Sequence, residues 1–231
     1  MASLFRFVGH SVRRILVTGC GRSGTQFMAG VLSYVGLKSG HEQVYETQRC
    51  LEGDAGKIEE AWGMSHAESS WLAAPFLGSL PDDGVTILHV LRHPLKVVRC
   101  WEGHKILMGE SGAAALVHRH LPECMQGDSA ERAVRYWRGW NRIIDVAGKW
   151  RHNLYRFRIE ELTPEWLAIV LELSGYKVRA ELIREALMEG VSRKLGSCHH
   201  NEEERLTWEW MEKVKGGSEL REQAREYGYV D

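Results

Sequence analysis

Three short runs of apolar and β-branched residues stand out from an otherwise mixed pattern. Residues 13–18 contain Ile15, Leu16, Val17 and Thr18 and end at Gly19; residues 85–91 read VTILHVL; residues 154–159 read LYRFRI. Runs of this length, closed by glycine or by Arg92-His93-Pro94, predict buried strands of a parallel sheet. Between them the period changes to that of a helix. Over 24–35, Phe27, Val31, Leu32 and Val35 share one face with Met28 beside it, and Gly36 stops the helix. Pro94 suits a first helical turn, with Val97, Val98 and Trp101 on one side. The longest amphipathic stretch is 129–150. Ala130, Val134, Trp137, Asn141, Ile144 and Gly148 lie on its inner arc, and Arg132, Arg135, Arg138 and Arg142 on another. Thr163-Pro164-Glu165 combines an N-cap, a first-turn proline and a first-turn acid. Charged helical stretches follow at about 178–189 and 218–227, and 190–205 reads as a polar loop. Strands separated by long helical segments predict an α/β fold: a central parallel sheet flanked by helices on both faces. In such sheets ligands sit beyond the carboxyl ends of the strands.

Composition narrows the picture. The 231 residues are 44% hydrophobic and 26% charged, enough to bury a core in one domain spanning 1–231, and no repeat, low-complexity tract or Pro/Gly-rich linker divides them. The formal net charge is −1, so neither nucleic acid nor a membrane surface is expected as a partner. No apolar run approaches a spanning helix, and the N-terminal stretch is interrupted by Arg6 and Gly9; a soluble, cytoplasmic protein is expected. Five scattered cysteines (Cys20, Cys50, Cys100, Cys124 and Cys198) without a CxxC read as reduced, mostly structural thiols.

The sharpest chemical signal is Gly19-Cys20-Gly21-Arg22-Ser23-Gly24-Thr25-Gln26, set between a predicted strand and a predicted helix. Glycines let the backbone turn tightly, and amides at a helix start point outward with the helix dipole behind them. Arg22 adds a cation; Ser23 and Thr25 add hydroxyls. The spacing mimics a Walker A loop, but its lysine is missing, and the strand at 85–91 ends in Arg92 where an NTPase would place a magnesium-holding acid. Glu160, after the third strand, is the one weak stand-in. The loop reads as an anion cradle without the metal half of NTPase chemistry, and no metal is expected.

These residues resemble the sulfotransferases that use 3′-phosphoadenosine-5′-phosphosulfate (PAPS), and the P-loop-like fold of that family is what the resemblance implies. Their 5′-phosphosulfate loop is similar to Gly21-Arg22-Ser23-Gly24-Thr25-Gln26. Their second signature, an Arg after a later strand and a Ser eight residues on, resembles Val90-Leu91-Arg92-His93-Pro94, with Cys100 in place of the Ser. A thiol is a poor donor. Looser similarities are Tyr155 to Leu162 and Ser192-Arg193-Lys194-Leu195-Gly196. The resemblance implies that Gly21, Arg22, Ser23, Gly24, Thr25 and Gln26 hold the 5′-phosphosulfate, and that Arg92 and Cys100 hold the 3′-phosphate. It implies a catalytic base in the segment after the first helix, where Glu42 is the first choice and His41 the second, with Arg22 steadying the leaving phosphate. The implied reaction moves a sulfuryl group from PAPS to a hydroxyl or amine of a small-molecule or carbohydrate acceptor. A small-molecule kinase or NTPase with an atypical loop, or a non-catalytic nucleotide-binding module, are the alternatives.

Other features carry plainer readings. Trp71 and Phe76 read as core before acceptor pocket. The Arg132/Arg135/Arg138/Arg142 stripe reads as a solvated helix face. Cys198-His199-His200 with His118 and His120 lacks the spacing of a zinc module. The segments 37–70 and 108–128 are the expected variable loops that choose the acceptor.

Overall fold

A computed structural model describes residues 13–104, 106–192 and 207–229. Among the described residues, five parallel strands form the sheet: β1 (Arg14–Thr18), β2 (Ser39–His41), β3 (Ala67–Ser69), β4 (Val85–Leu91) and β5 (Leu154–Arg158), in the order β2-β3-β1-β4-β5. The chain runs outward from β1 on one side, then returns to build the other. The loop that leaves β1 therefore sits at the switch point, where strand connections diverge and a crevice opens.

Helices cover both faces. α1 (Thr25–Tyr34) follows β1; α2 (Thr47–Glu52) and α3 (Ala55–Trp62) lie between β2 and β3; α4 (Pro94–His104), α5 (Gly112–His120) and α6 (Ser129–Gly148) lie between β4 and β5; α7 (Pro164–Leu173), α8 (Ala180–Ser192), α9 (Trp208–Met211) and α10 (Gly217–Glu226) follow. Strand periodicity divides the core in two. Ile15 and Val17 of β1 pack with Met28, Val31 and Leu32 of α1 and with Leu167 and Leu171 of α7. Leu16 faces the other layer, with Val97 and Val98 of α4 and Val134, Trp137 and Ile144 of α6.

The strands expected at 13–18, 85–91 and 154–159 are β1, β4 and β5, and the helix expected over 129–150 is α6. The expected N-cap at Thr163 accepts from the Trp166 N–H at 3.2 Å. The segments 37–70 and 108–128 are more ordered than loops: they hold β2, β3, α2, α3 and α5, with Asp54 and Ser111 capping the last two. Residue 190 continues α8 rather than starting a loop. Cys20, Cys50 and Cys124 are free and buried, whereas Cys100 is disulfide-bonded, a correction to the reading of five reduced thiols. Among the described residues, no helix is long and apolar enough to cross a membrane.

Candidate functional site

The loop after β1 is clamped by aromatic rings from distant helices. The Gly21 N–H donates to the Tyr136 hydroxyl at 2.5 Å, and the Gly21 carbonyl accepts from the Trp101 indole N–H at 2.9 Å. A Cβ on Gly21 would stand 2.5 Å from the Trp101 ring, so only glycine fits this close approach. Arg22 holds φ of 71° and Gly24 φ of 112°, both left-handed. The Ser23 hydroxyl is buried and donates to the Cys20 carbonyl at 2.5 Å. Gly21 and Ser23 thus brace the turn: the amide of one is spent on Tyr136 of α6 and the hydroxyl of the other inside the turn itself.

The open donors lie one step further on. α1 begins after Gly24 with no side-chain cap and no acid in its first turn. The first amide within α1 to donate back into the turn is that of Met28, to the Gly24 carbonyl at 3.0 Å. The start of the helix therefore presents amides and positive potential that no side chain of the helix answers. Gly24, Thr25 and Gln26 line a cavity of about 480 Å³, together with Arg22 and, opposite, His41 and Glu42. Its remaining wall is Gly21, Trp71, Trp101 and Ala113. Trp71 therefore lines the cavity as well as packing in the core, while Phe76 packs against the core and does not line this cavity.

His41 ends β2 and Glu42 follows it. The His41 Nε2 lies 3.3 Å from the Thr25 hydroxyl and 3.5 Å from Glu42 Oε1. Half-burial pushes the Glu42 carboxyl above its ordinary range, opposed by a hydrogen bond from Trp71 and by the Arg22 charge. The same half-burial pushes His41 below its ordinary value. The two groups are drawn toward one another in proton affinity, and both open onto the cradle.

Arg92 and Cys100 reach the same loop from behind. Arg92 Nη1 donates to the Arg22 carbonyl at 2.9 Å, and Arg22 Nε donates to Cys100 Sγ at 3.1 Å. The Trp137 indole donates to the Arg92 carbonyl at 3.3 Å. The fold thus brings Arg22, Arg92 and Cys100 together across about 80 residues of sequence. Glu160 is fully engaged: it accepts from the His93 N–H and the Tyr229 hydroxyl and pairs with Lys96.

A second groove, about 540 Å³, lies between α6 and α10, with Arg135, Arg138 and Arg142 on one wall and Glu219, Glu222 and Glu226 on the other. It is larger than the loop cavity but holds none of the loop residues. The arginine stripe faces an acidic helix there rather than open solvent alone. Residues 193–200, with Arg193, Lys194, Gly196 and the Cys198-His199-His200 cluster, lie outside the described residues. Among the described residues no group of three or more His, Cys, Asp or Glu is placed to hold a metal.

No protein-family description and no curated protein matches the sequence. The fold is similar to that of the sulfotransferase domain from the olefin synthase of Synechococcus PCC 7002, with a TM-score of 0.54 at 12% identity, covering 99% of this chain and 100% of that one. Weaker likenesses are mouse sulfotransferase SULT7A1 complexed with PAP (TM-score 0.47, 15% identity, 94% of this chain and 91% of that) and retinol dehydratase in complex with androsterone and inactive cofactor PAP (0.43, 14%, 94% and 80%). The architecture is therefore that of a sulfotransferase domain, on the first of these structures and on the all-parallel sheet.

Proposed function

We propose that this chain is an enzyme that transfers a sulfuryl group from PAPS to a hydroxyl or amine of a small-molecule or carbohydrate acceptor. The observation that carries the reading is the uncapped, acid-free start of α1 opening into the same cavity as His41 and Glu42. The residues fit the co-substrate. The amides of α1, the Thr25 hydroxyl and Arg22 suit a dianionic phosphosulfate, and Arg92, which reaches the Arg22 carbonyl, suits a second phosphate; Cys100, being disulfide-bonded, has no S–H to donate to it. When bound, PAPS supplies a sulfuryl group on a phosphate leaving group. Glu42, or His41 in its place, takes the acceptor proton as the acceptor lone pair forms the new bond to sulfur. Arg22 and the α1 amides stabilise the charge left on the phosphate oxygen when its bond to sulfur breaks. The chain is read as one domain over 1–231, working as a soluble cytoplasmic protein.

Thermal shift with adenosine 3′,5′-bisphosphate against ATP plus magnesium tests the ligand class. A ligand that binds only the native state raises its stability by mass action. Stabilisation by the bisphosphate without metal, with labelled sulfate passing from PAPS to a pool of hydroxyl and amine acceptors, is the expected result. Stabilisation by ATP–magnesium alone would turn the reading to a kinase. Bisphosphate binding with no transfer to any acceptor would turn it to a binding module.

A further inference from the structure

Glu68 sits in the middle of β3, fully buried between β2 and β1. A carboxylate in a sheet core is costly, and an apolar residue of similar volume would serve packing at least as well. Its contacts give it a different task. Oε1 accepts from the Gln43 N–H at 2.8 Å and the Val44 N–H at 3.2 Å, while Oε2 has no hydrogen-bond partner among the described residues. Gly40, its neighbour in the β2–β3 register, leaves the room: a Cβ there would stand 2.5 Å from Oε2.

The two amides that Glu68 holds belong to the turn that carries the candidate base. Glu42 has φ of 54°, a left-handed conformation that costs a side-chain-bearing residue free energy and persists only when its surroundings enforce it. The Glu42 N–H donates to the Ser69 carbonyl at 3.2 Å. From the outer side, Arg49 of α2 donates to the Gln43 carbonyl at 2.8 Å and the Val44 carbonyl at 2.5 Å. Residues 43 and 44 are thus gripped by their amides from below and by their carbonyls from outside, and Glu42 is held in its strained form beside His41.

We propose that Glu68 is a positioning residue, a buried anchor for the turn 42–45 that keeps Glu42 and His41 at the mouth of the α1 cradle. The titratable groups that face it are Glu42, Tyr45 and Cys50. The proposal extends the sulfotransferase reading, but its structural half is testable without turnover.

The test compares Glu68→Leu, Glu68→Gln and Gly40→Ala with the wild type and with Glu42→Gln. Bisphosphate affinity is measured by calorimetry, sulfate transfer to the acceptor pool at saturating PAPS, and the titration of His41 by NMR. Glu68→Leu should slow transfer by about a hundredfold, the scale of a misplaced catalytic group. Its bisphosphate Kd should change less than about threefold, under 0.7 kcal/mol. Glu68→Gln keeps a carbonyl acceptor for both amides and should restore transfer to within about fivefold of wild type. Gly40→Ala, which pushes on the carboxylate without removing any polar group, should behave like Glu68→Leu; it and Glu68→Gln carry the test if the leucine variant does not fold. The His41 titration should shift in Glu68→Leu, and adding Glu42→Gln should shift it no further than the larger single change, because both act through one contact. An unshifted His41, additive shifts, or bisphosphate affinity lost in step with transfer would overturn the proposal. If the wild type neither binds bisphosphate nor transfers sulfate, the functional reading fails, and the His41 coupling alone decides whether Glu68 positions the turn.

Discussion

Gly21 shows how tightly single residues set the cradle. Both of its backbone polar groups are taken, by Tyr136 and Trp101, and the two rings pack at a tilt with centroids 4.2 Å apart. Trp71 and Trp140 pack against them in turn, at 5.6 Å from Trp101 and 5.4 Å from Tyr136. Neither ring can retreat from a new methyl group without disturbing its neighbours. Gly21→Ala should therefore lower stability by about 1–3 kcal/mol, the usual cost of overpacking, and weaken bisphosphate binding because the loop itself moves. Gly78→Ala is the matched control, since a Cβ there meets nothing within 4 Å. Equal melting temperatures for the two variants would remove the aromatic clamp from the account. Arg92→Ala acts on the same loop from the other side. Loss of a charged bond to the Arg22 carbonyl, and of the second-phosphate contact proposed for Arg92, should weaken the bisphosphate by about 1.5–3 kcal/mol. Calorimetry measures it, and unchanged affinity would place Arg92 outside the site.

At the scale of elements, the decisive one is α1. A helix that needs only stability gains from an acid in its first turn; one that must receive an anion loses by it. Gln26 is exposed in that turn and lines the cavity. Gln26→Glu should stabilise the free protein slightly, by about 0.3–1 kcal/mol, and weaken the bisphosphate at least about tenfold through repulsion. Opposite signs in melting temperature and affinity distinguish an anion cradle from a plain helix start; tighter or unchanged binding would end the cradle reading. The elements that hydropathy could reveal are those that bury several apolar residues in phase: β1, β4, α4 and α6 all do so. β2 and β3 were not legible because three-residue strands reading SGH and AES carry no apolar run, and their place comes from pairing with neighbours far along the chain. The loop residues 21–26 and Arg92 could be read from local motifs. Tyr136 and Trp101 could not, since they reach Gly21 across 115 and 80 residues. Glu68 gave no signal at all: an acid among polar residues looks solvated until the sheet closes over it.

For the molecule as a whole, two buried groups set opposite slopes in the dependence of stability on pH. His89 is fully buried in β4 and shares a network with Asn141 at 3.0 Å, Asp145 and Arg156; burial pushes it down to about 4. Between its ordinary value and pH 4 the unfolded chain binds a proton that the folded chain refuses, so His89 makes stability fall as pH falls. Glu68 does the reverse. Burial pushes its carboxyl up to about 7, so below that value the folded chain keeps a proton that the unfolded chain releases until its ordinary, lower pKa is reached. Its contribution is complete below the unfolded pKa and is lost as pH rises toward 7. From about pH 4.5 to 6.5 the two slopes oppose each other, each close to 1.4 kcal/mol per pH unit at full strength. Denaturant unfolding across this window should show Glu68→Gln losing stability on acidification more steeply than the wild type. His89→Asn should show the opposite change, a flatter or inverted slope. Both variants remove one titrating side chain and retain a polar group, so a general loss of packing would lower both curves without tilting them. Parallel curves for the wild type and the two variants would mean that neither group titrates in the folded protein as its burial requires.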